Sequence, residues 1–173
     1  MTADEIKALL NLEPHPREGG FFTETWKSDE TIPVEALPSR YRGPRLAGTA
    51  IYYLLQPGSF SEIHRLASDE VFHFYLGDPV EMVQLSPDGT GRTIILGNDL
   101  AQGMKPQVLA PKGVWQGSRL VPGGKVALLG CTVSPGFDYA DYEAGSRVEL
   151  LHRFPLFREH IEALTRVEAF GLF

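Results

Sequence analysis

Between Gly58 and Gly77 the chain reads GSFSEIHRLASDEVFHFYLG, which sets His64, Glu70 and His73 in an otherwise aromatic, strand-like segment. A histidine of ordinary pKa, near ~6.5, takes or gives a proton close to neutral pH when a carboxylate orients it. Read with a period of two, His64 and Leu66 share one face, Ala67-Ser68-Asp69 turns the corner, and Glu70, Phe72 and Phe74 share a face of the next strand. His73 falls on the face opposite Glu70 and is a candidate for either a cross-sheet hydrogen bond or a ligand contact. If His64 and Glu70 look into one cavity, they form a base with its carboxylate, walled by Phe72, Phe74 and Trp115. The opposing acid would be a tyrosine, Tyr52 or Tyr53, which as neighbours in a strand must point to opposite faces. His64 itself, as a pocket residue facing water or ligand, is expected to be dispensable for folding.

These residues need short strands to carry them, and the punctuation of the chain supplies them. Gln56-Pro-Gly58, Gly77-Asp-Pro79, Ser86-Pro-Asp-Gly89, Pro111-Lys-Gly113 and Pro122-Gly-Gly124 separate short β-rich runs. Many short strands without alternating helices imply an all-β antiparallel sandwich or barrel. Thr2 and Glu5 form a capping box for a helix over residues 3–11, and Pro155 opens a C-terminal helix over about 155–165 with Phe157, Ile161 and Leu164 on one side. The segment Phe21 to Trp26 reads as a strand with aromatic residues on both faces, hence covered on both. Residues 27–45, with Pro33, Pro38 and Pro44, read as a long loop serving as a lid or a subunit contact. His15, His152 and His160 show no partner pattern and are expected at the surface or as caps. Asp138 and Asp141 are expected to be structural, and Asp69 to cap the corner at Ser68.

The 173 residues fit one domain, with 43% hydrophobic and 22% charged residues giving enough apolar material for a core. A net charge of -6 argues against nucleic acid as a partner. No apolar run approaches the ~20 residues of a membrane span, and Asp4 and Glu5 stand where a signal peptide would be basic. Cys131 is the single cysteine, so no internal disulfide forms, which suggests a reducing compartment; a cytoplasmic protein is expected. Its context, VALLGCTV, reads as a buried and inert core strand.

The spacing Gly58, His64, Leu66, Glu70, Gly77 is similar to the first motif of the cupin superfamily, G-x5-H-x-H-x3-4-E-x6-G, with Leu66 where that motif has its second histidine. Pro111-Lys-Gly113-Val-Trp-Gln116 resembles the second motif, G-x5-P-x-G-x2-H-x3-N, with Gln116 at the histidine position and Leu120 at the asparagine. Together with the phrases HPREGGFFTETW and VSPGFDYADYE, the chain resembles the small single-domain cupins of unassigned function called DUF985, or cupin 5. The resemblance implies a double-stranded β-helix, or jelly-roll barrel, with its core over about 46–143 and additions over 1–45, a pocket in the barrel mouth, and a homodimer.

Cupins commonly bind a divalent metal through three histidines and a glutamate. Here His64, Glu70 and the weak amide of Gln116 are what remains of that set, which is loose compared with a three-ligand catalytic site. No cofactor is therefore required by this reading. Among the enzymatic readings, metal-free acid/base catalysis of isomerase, epimerase or lyase type on a small polar, anionic or carbohydrate-like molecule ranks first; sugar-nucleotide epimerases resembling this layout use a histidine, a carboxylate and a tyrosine on the same barrel, and their substrate-binding arginines would correspond in role to Arg65 or Arg45. The alternatives are a ligand-binding or structural cupin without chemistry and a metal-dependent cupin enzyme. His64, Glu70 and Gln116 should converge.

Overall fold

The structure is a computed structural model in which residues 1–166 are described. In chain order the elements are α1 (Ala3–Leu10), β1 (Glu13–Pro14), β2 (Phe21–Lys27), β3 (Thr31–Ile32), β4 (Arg45–Leu46), β5 (Thr49–Leu55), β6 (Phe60–Arg65), β7 (Asp69–Gly77), β8 (Val80–Leu85), β9 (Gly91–Leu96), β10 (Gln107–Ala110), β11 (Trp115–Leu120), β12 (Ala127–Ser134), β13 (Glu143–Ala144), α2 (Arg147–Arg153) and α3 (Arg158–Leu164). They build two facing antiparallel sheets, ordered β1-β2-β5-β12-β7-β10 and β13-β6-β11-β8-β9, with β3 and β4 as a separate small ribbon. This is the expected all-β cupin barrel with short helices at its ends.

Alternation along the strands fills the space between the sheets. On β7 the residues Glu70, Phe72 and Phe74 are buried, while Asp69, Val71, His73 and Tyr75 are partly or fully exposed, as a period of two requires. Phe72 and Phe74 pack with Tyr53, Leu55, Val80, Met82, Leu96 and Leu129 into the main core. A second cluster lies on the other side of the five-stranded sheet, where Trp115 and Val83 meet Leu150, Phe154, Ile161 and Leu164 from the C-terminal helices. Helix α1 carries its capping box as expected, with Thr2 and Glu5 bonded reciprocally at 2.8 and 3.2 Å, and packs Ile6 onto Leu54 and Leu128.

Several expectations are corrected. The C-terminal helix opens with a 3-10 turn at Pro155–Phe157, and Phe157 is only half-buried while Ile161 and Leu164 are fully buried. Helix α2 has no strong sequence signal, because seven residues with Leu150 as their one buried side chain make too short an apolar stripe. Strand β2 is not covered on both faces: Trp26 is 51% exposed. The stretch 27–45 contains β3 and a 3-10 turn at Val34–Ala36, and is tied down by Arg40 and Tyr41, both donating to the carbonyl of Ala67.

Candidate functional site

The corner between β6 and β7 moves the chain from one sheet to the other, so His64 and Glu70 approach from opposite walls of the barrel. Gly113 N–H donates to the Leu66 carbonyl and Tyr41 bonds Ser68 at 2.8 Å, which fixes that corner. Asp69 caps a different turn from the one expected: its Oδ1 accepts from the backbone N–H of Lys112, in the Pro111–Gly113 turn, at 2.8 Å. Gln116 stands opposite His64 in the β6–β11 register. Its amide nitrogen Nε2 donates to His64 Nε2 at 3.0 Å and to Glu70 Oε2 at 2.7 Å, bridging the two sheets. The convergence of His64, Glu70 and Gln116 is thus present.

The tautomer of His64 follows from its other neighbour. Nδ1 lies 2.7 Å from the Glu62 carbonyl, which only accepts, so Nδ1 carries the proton and Nε2 presents its lone pair to the Gln116 amide. The Tyr142 ring stacks on the imidazole at 4.9 Å between centroids. His64 is 1% exposed and bonded through both ring nitrogens, so it is built into the structure rather than standing free at the pocket wall. Glu70 is pushed up to about 8, first because burial penalises its charge and then because the Glu18 carboxylate repels it. Hydrogen bonds from Gln116 and the Cys131 thiol oppose that rise without cancelling it. Near neutrality Glu70 therefore holds a proton that an exposed glutamate would have lost.

A cavity of about 200 Å³ opens on these groups. Its walls include His64, Leu66, Glu70 and Cys131 from the barrel, His15, Glu18 and Phe22 from the N-terminal segment, and Phe137 and Tyr139 beyond β12. Sequence reasoning missed His15, Glu18 and Tyr142. His15 is not a surface residue: its side chain is 5% exposed, its ring packs edge-on against Phe22 at 4.7 Å, and its Nδ1 accepts from the Glu18 backbone N–H at 2.9 Å. The proton of neutral His15 accordingly sits on Nε2, the reverse of His64. Burial lowers its pKa, Glu18 partly offsets this, and His64 and Arg166 lower it further. Glu18 accepts from Ser61 Oγ at 2.5 Å. The pair Gly19-Gly20 is what lets this segment lie against the barrel: both have positive φ, and a Cβ on Gly19 would come within 2.4 Å of the Phe60 carbonyl oxygen. That glycine pair, directly after a charged His-Pro-Arg-Glu run, was the available signal.

Other candidates lie elsewhere. Tyr53 is the inward tyrosine but is fully buried beside the cavity, its hydroxyl donating to the Gly19 carbonyl at 2.8 Å, while Tyr52 faces outward against Tyr75 and α1. Phe72 and Phe74 are on the correct face yet deeper, in the dry core, because alternation reports the face and not the depth along a strand. His73 is on the outer face, bonded to Thr132 across the sheet at 3.2 Å. Trp115 is under the C-terminal helices, and Arg65 lies over its ring at 4.3 Å while pairing with Glu143. Arg45 is locked to Asp141 in a buried two-pronged ion pair with bonds of 2.7 and 2.6 Å, and Asp138 caps the turn beside it through the Ala140 N–H. Cys131 is buried as expected, but beside Glu70 in the cavity wall, with its thiol pushed up by burial.

The donor set does not fit a divalent ion. The amide N–H of Gln116 fills the space between the two groups such an ion would have to bridge, its Oε1 is turned away without a protein partner among the described residues, and Leu66 supplies no ligand. Among those residues no group of three or more His, Cys, Asp or Glu side chains is placed to hold a metal. Nor, among them, is any helix long and apolar enough to cross a membrane.

Comparison with known proteins agrees with this architecture. An uncharacterized protein of Saccharomyces cerevisiae is 33% identical over 135 residues, covering 73% of this chain and 67% of its own. A crystal structure from Shewanella oneidensis superposes with a TM-score of 0.85 at 37% identity, covering 97% of this chain and 99% of that one. A hypothetical protein from Leishmania major gives 0.86 at 30% identity, covering 96% and 100%. Residues 4–145 match the family described as Cupin superfamily (DUF985), and the chain belongs to that family.

Proposed function

We propose that this cupin binds a small polar molecule in the mouth cavity and carries out acid/base chemistry on it without a metal. The observation that supports this most directly is Glu70, a buried carboxyl in the cavity wall pushed up to about 8 and bonded to Gln116, which in turn holds His64. A group that titrates near the working pH is the most effective general acid or base. The division of labour is then the reverse of the one first drawn from the sequence. Glu70 gives and takes the proton, on the oxygen that Gln116 does not engage, while His64 Nε2 fixes the amide and the amide fixes Glu70. Tyr53 does not serve as the opposing acid in this reading, because its hydroxyl is committed to Gly19; a carbohydrate-like substrate would instead meet the His15 N–H.

The test is to incubate a panel of small hydroxy-carbonyl and amino-carbonyl compounds, cationic as well as neutral, with the protein in heavy water and follow them by NMR. Turnover or deuterium uptake at an acidic C–H, reduced roughly 10²–10⁴-fold in Glu70→Gln, is expected. Compounds that bind and are recovered unlabelled and unchanged would establish a binding protein without chemistry.

We further propose a homodimer in a reducing, cytoplasmic setting. Trp26, Tyr75 and Leu109, each about half exposed, stand on the outer face of the six-stranded sheet, and covering them supports pairing of two copies there. Light scattering at micromolar concentration should return twice the chain mass.

A further inference from the structure

The mouth cavity holds acidic groups without a matching cation. Glu18 and Glu70 both line it, and burial first, with repulsion by the Glu18 charge second, pushes Glu70 up to about 8. Glu18 is 9% exposed; its partners are one hydroxyl, Ser61, and His15, whose Nε2 is 3.9 Å away and whose lowered pKa leaves it neutral. A third carboxylate, Glu24, is at the rim and half exposed, where Lys27 at 3.3 Å compensates it. Among the described residues, no lysine or arginine lines the cavity. Two guanidinium groups border the cavity without lining it: Arg17 lies over the ring of Tyr139, a wall residue, at 5.0 Å, and Arg166, whose charge reaches His15, is 3.7 Å from Glu62.

Two more features bear on the ligand. A buried carboxylate without an ionic partner is costly, and the cost is relieved by whatever cation arrives. The remaining walls include Phe22 and Phe137, whose ring faces attract cations by their quadrupoles, while the Tyr139 ring already carries the Arg17 guanidinium. Benzoate-like or phosphate-bearing molecules would bring a negative charge against Glu18 with nothing to neutralise it, in a space of only about 200 Å³.

Resting on the acid/base reading of the same cavity, we infer that its ligand is a small organic cation, an ammonium or amidinium on a compact apolar or sugar-like body, received by Glu18 and the aromatic wall. The arginine-held anionic substrate suggested by the sequence is not what this cavity is built for, since Arg45 and Arg65 are both committed to carboxylates away from it.

The inference is tested with three molecules of nearly one shape and different charge: benzamidine, which is positive, benzamide, which is neutral, and benzoate, which is negative. Binding is followed through the His15 and His64 imidazole resonances. Benzamidine should bind at least about tenfold more tightly than benzamide, equivalent to about 1.4 kcal/mol, and benzoate should be the weakest. Glu18→Gln, which keeps an acceptor for Ser61, should erase most of the preference for benzamidine; a matched thermal melt and the retained weak binding of benzamide show that the variant is folded. Equal binding of all three, tighter binding of benzoate, or no binding of benzamidine at millimolar concentration each overturns the inference. These results are separate from those of the heavy-water experiment: a cavity that selects cations but exchanges no protons defeats the catalytic reading alone, and one that exchanges protons on a neutral or anionic compound defeats this inference alone.

Discussion

The two ends of the barrel interior are made from the same strands and behave oppositely. Strand β7 passes from Glu70 at the mouth to Phe72 and Phe74 at the dry end within five residues of one face. Strand β12 likewise runs from Val133, opposite Glu70 in the cavity wall, through Cys131 to Leu129 in the apolar core. At the dry end each residue loses water and gains close packing, which stabilises the fold. At the mouth the same burial works against Glu70, whose charge is disfavoured, so the polar end is maintained by hydrogen bonds at the expense of some stability. The difference shows how one sheet serves as scaffold and site: alternation selects the inward side chains, and distance from the corner decides whether they are packed or reactive.

The contrast is sharpest in its dependence on pH. The folded protein keeps a proton on Glu70 that the unfolded chain, with the ordinary value of 4.5, gives up; between 4.5 and about 8 the folded state binds more protons, and stability falls as pH rises. The slope is about 1.4 kcal/mol per pH unit, and over the window it sums to ~5 kcal/mol. Urea melts from pH 5 to pH 8 should show this decline in the native protein and a much flatter curve in Glu70→Gln. Parallel curves would remove the distinction between the two ends. At the dry end Phe72→Ala should cost about 3–5 kcal/mol at each pH from 5 to 8, since it opens a cavity and its titratable neighbours Tyr53 and Cys131 are both pushed up by burial, out of that range.

His64→Ala should fall between these extremes, destabilising by about 1–3 kcal/mol in denaturant melts. Truncation leaves the Glu62 carbonyl and one Gln116 N–H unpaired in a buried place. A change within a few tenths of a kcal/mol would return His64 to the lightly held pocket residue that the sequence suggested. The smallest effect is expected from Arg65→Ala. Its pairing with Glu143 is partly exposed, so the loss should stay under about 1 kcal/mol, and titration of the mouth cavity with benzamidine should be unchanged.

The architecture was legible in the chain because turn residues recur at short intervals and because β7 alternates without interruption. The centre of the site was legible for a different reason: His64, Glu70 and Gln116 sit at fixed offsets from glycines and a proline that shape the corners. What surrounds that centre was not. His15 and Glu18 reach the cavity from an irregular segment, where no periodicity reports direction, and only the Gly19-Gly20 pair marks a close approach. Tyr142 comes from just before β13, a strand of two residues, too short to show a pattern. Phe72 and Phe74 were placed on the correct face but at the wrong depth, and Trp115, two residues after its turn ends at Gly113, points out of the barrel because Gln116 points in.

The anchoring of the Glu18 segment has a consequence for molecular traffic. Its carbonyls are clasped from below, that of Gly19 by the Tyr53 hydroxyl and that of Glu18 by the Glu62 N–H, both at 2.8 Å, while Ser61 holds the Glu18 carboxylate. Swinging the segment outward would strip several bonds at once from largely buried groups, so it behaves as a fixed jamb and not as a door. Ingress then falls to the side where Phe137 and Tyr139 close over the cavity, and the association rate should respond to trimming those two rings while remaining indifferent to stiffening of the N-terminal segment.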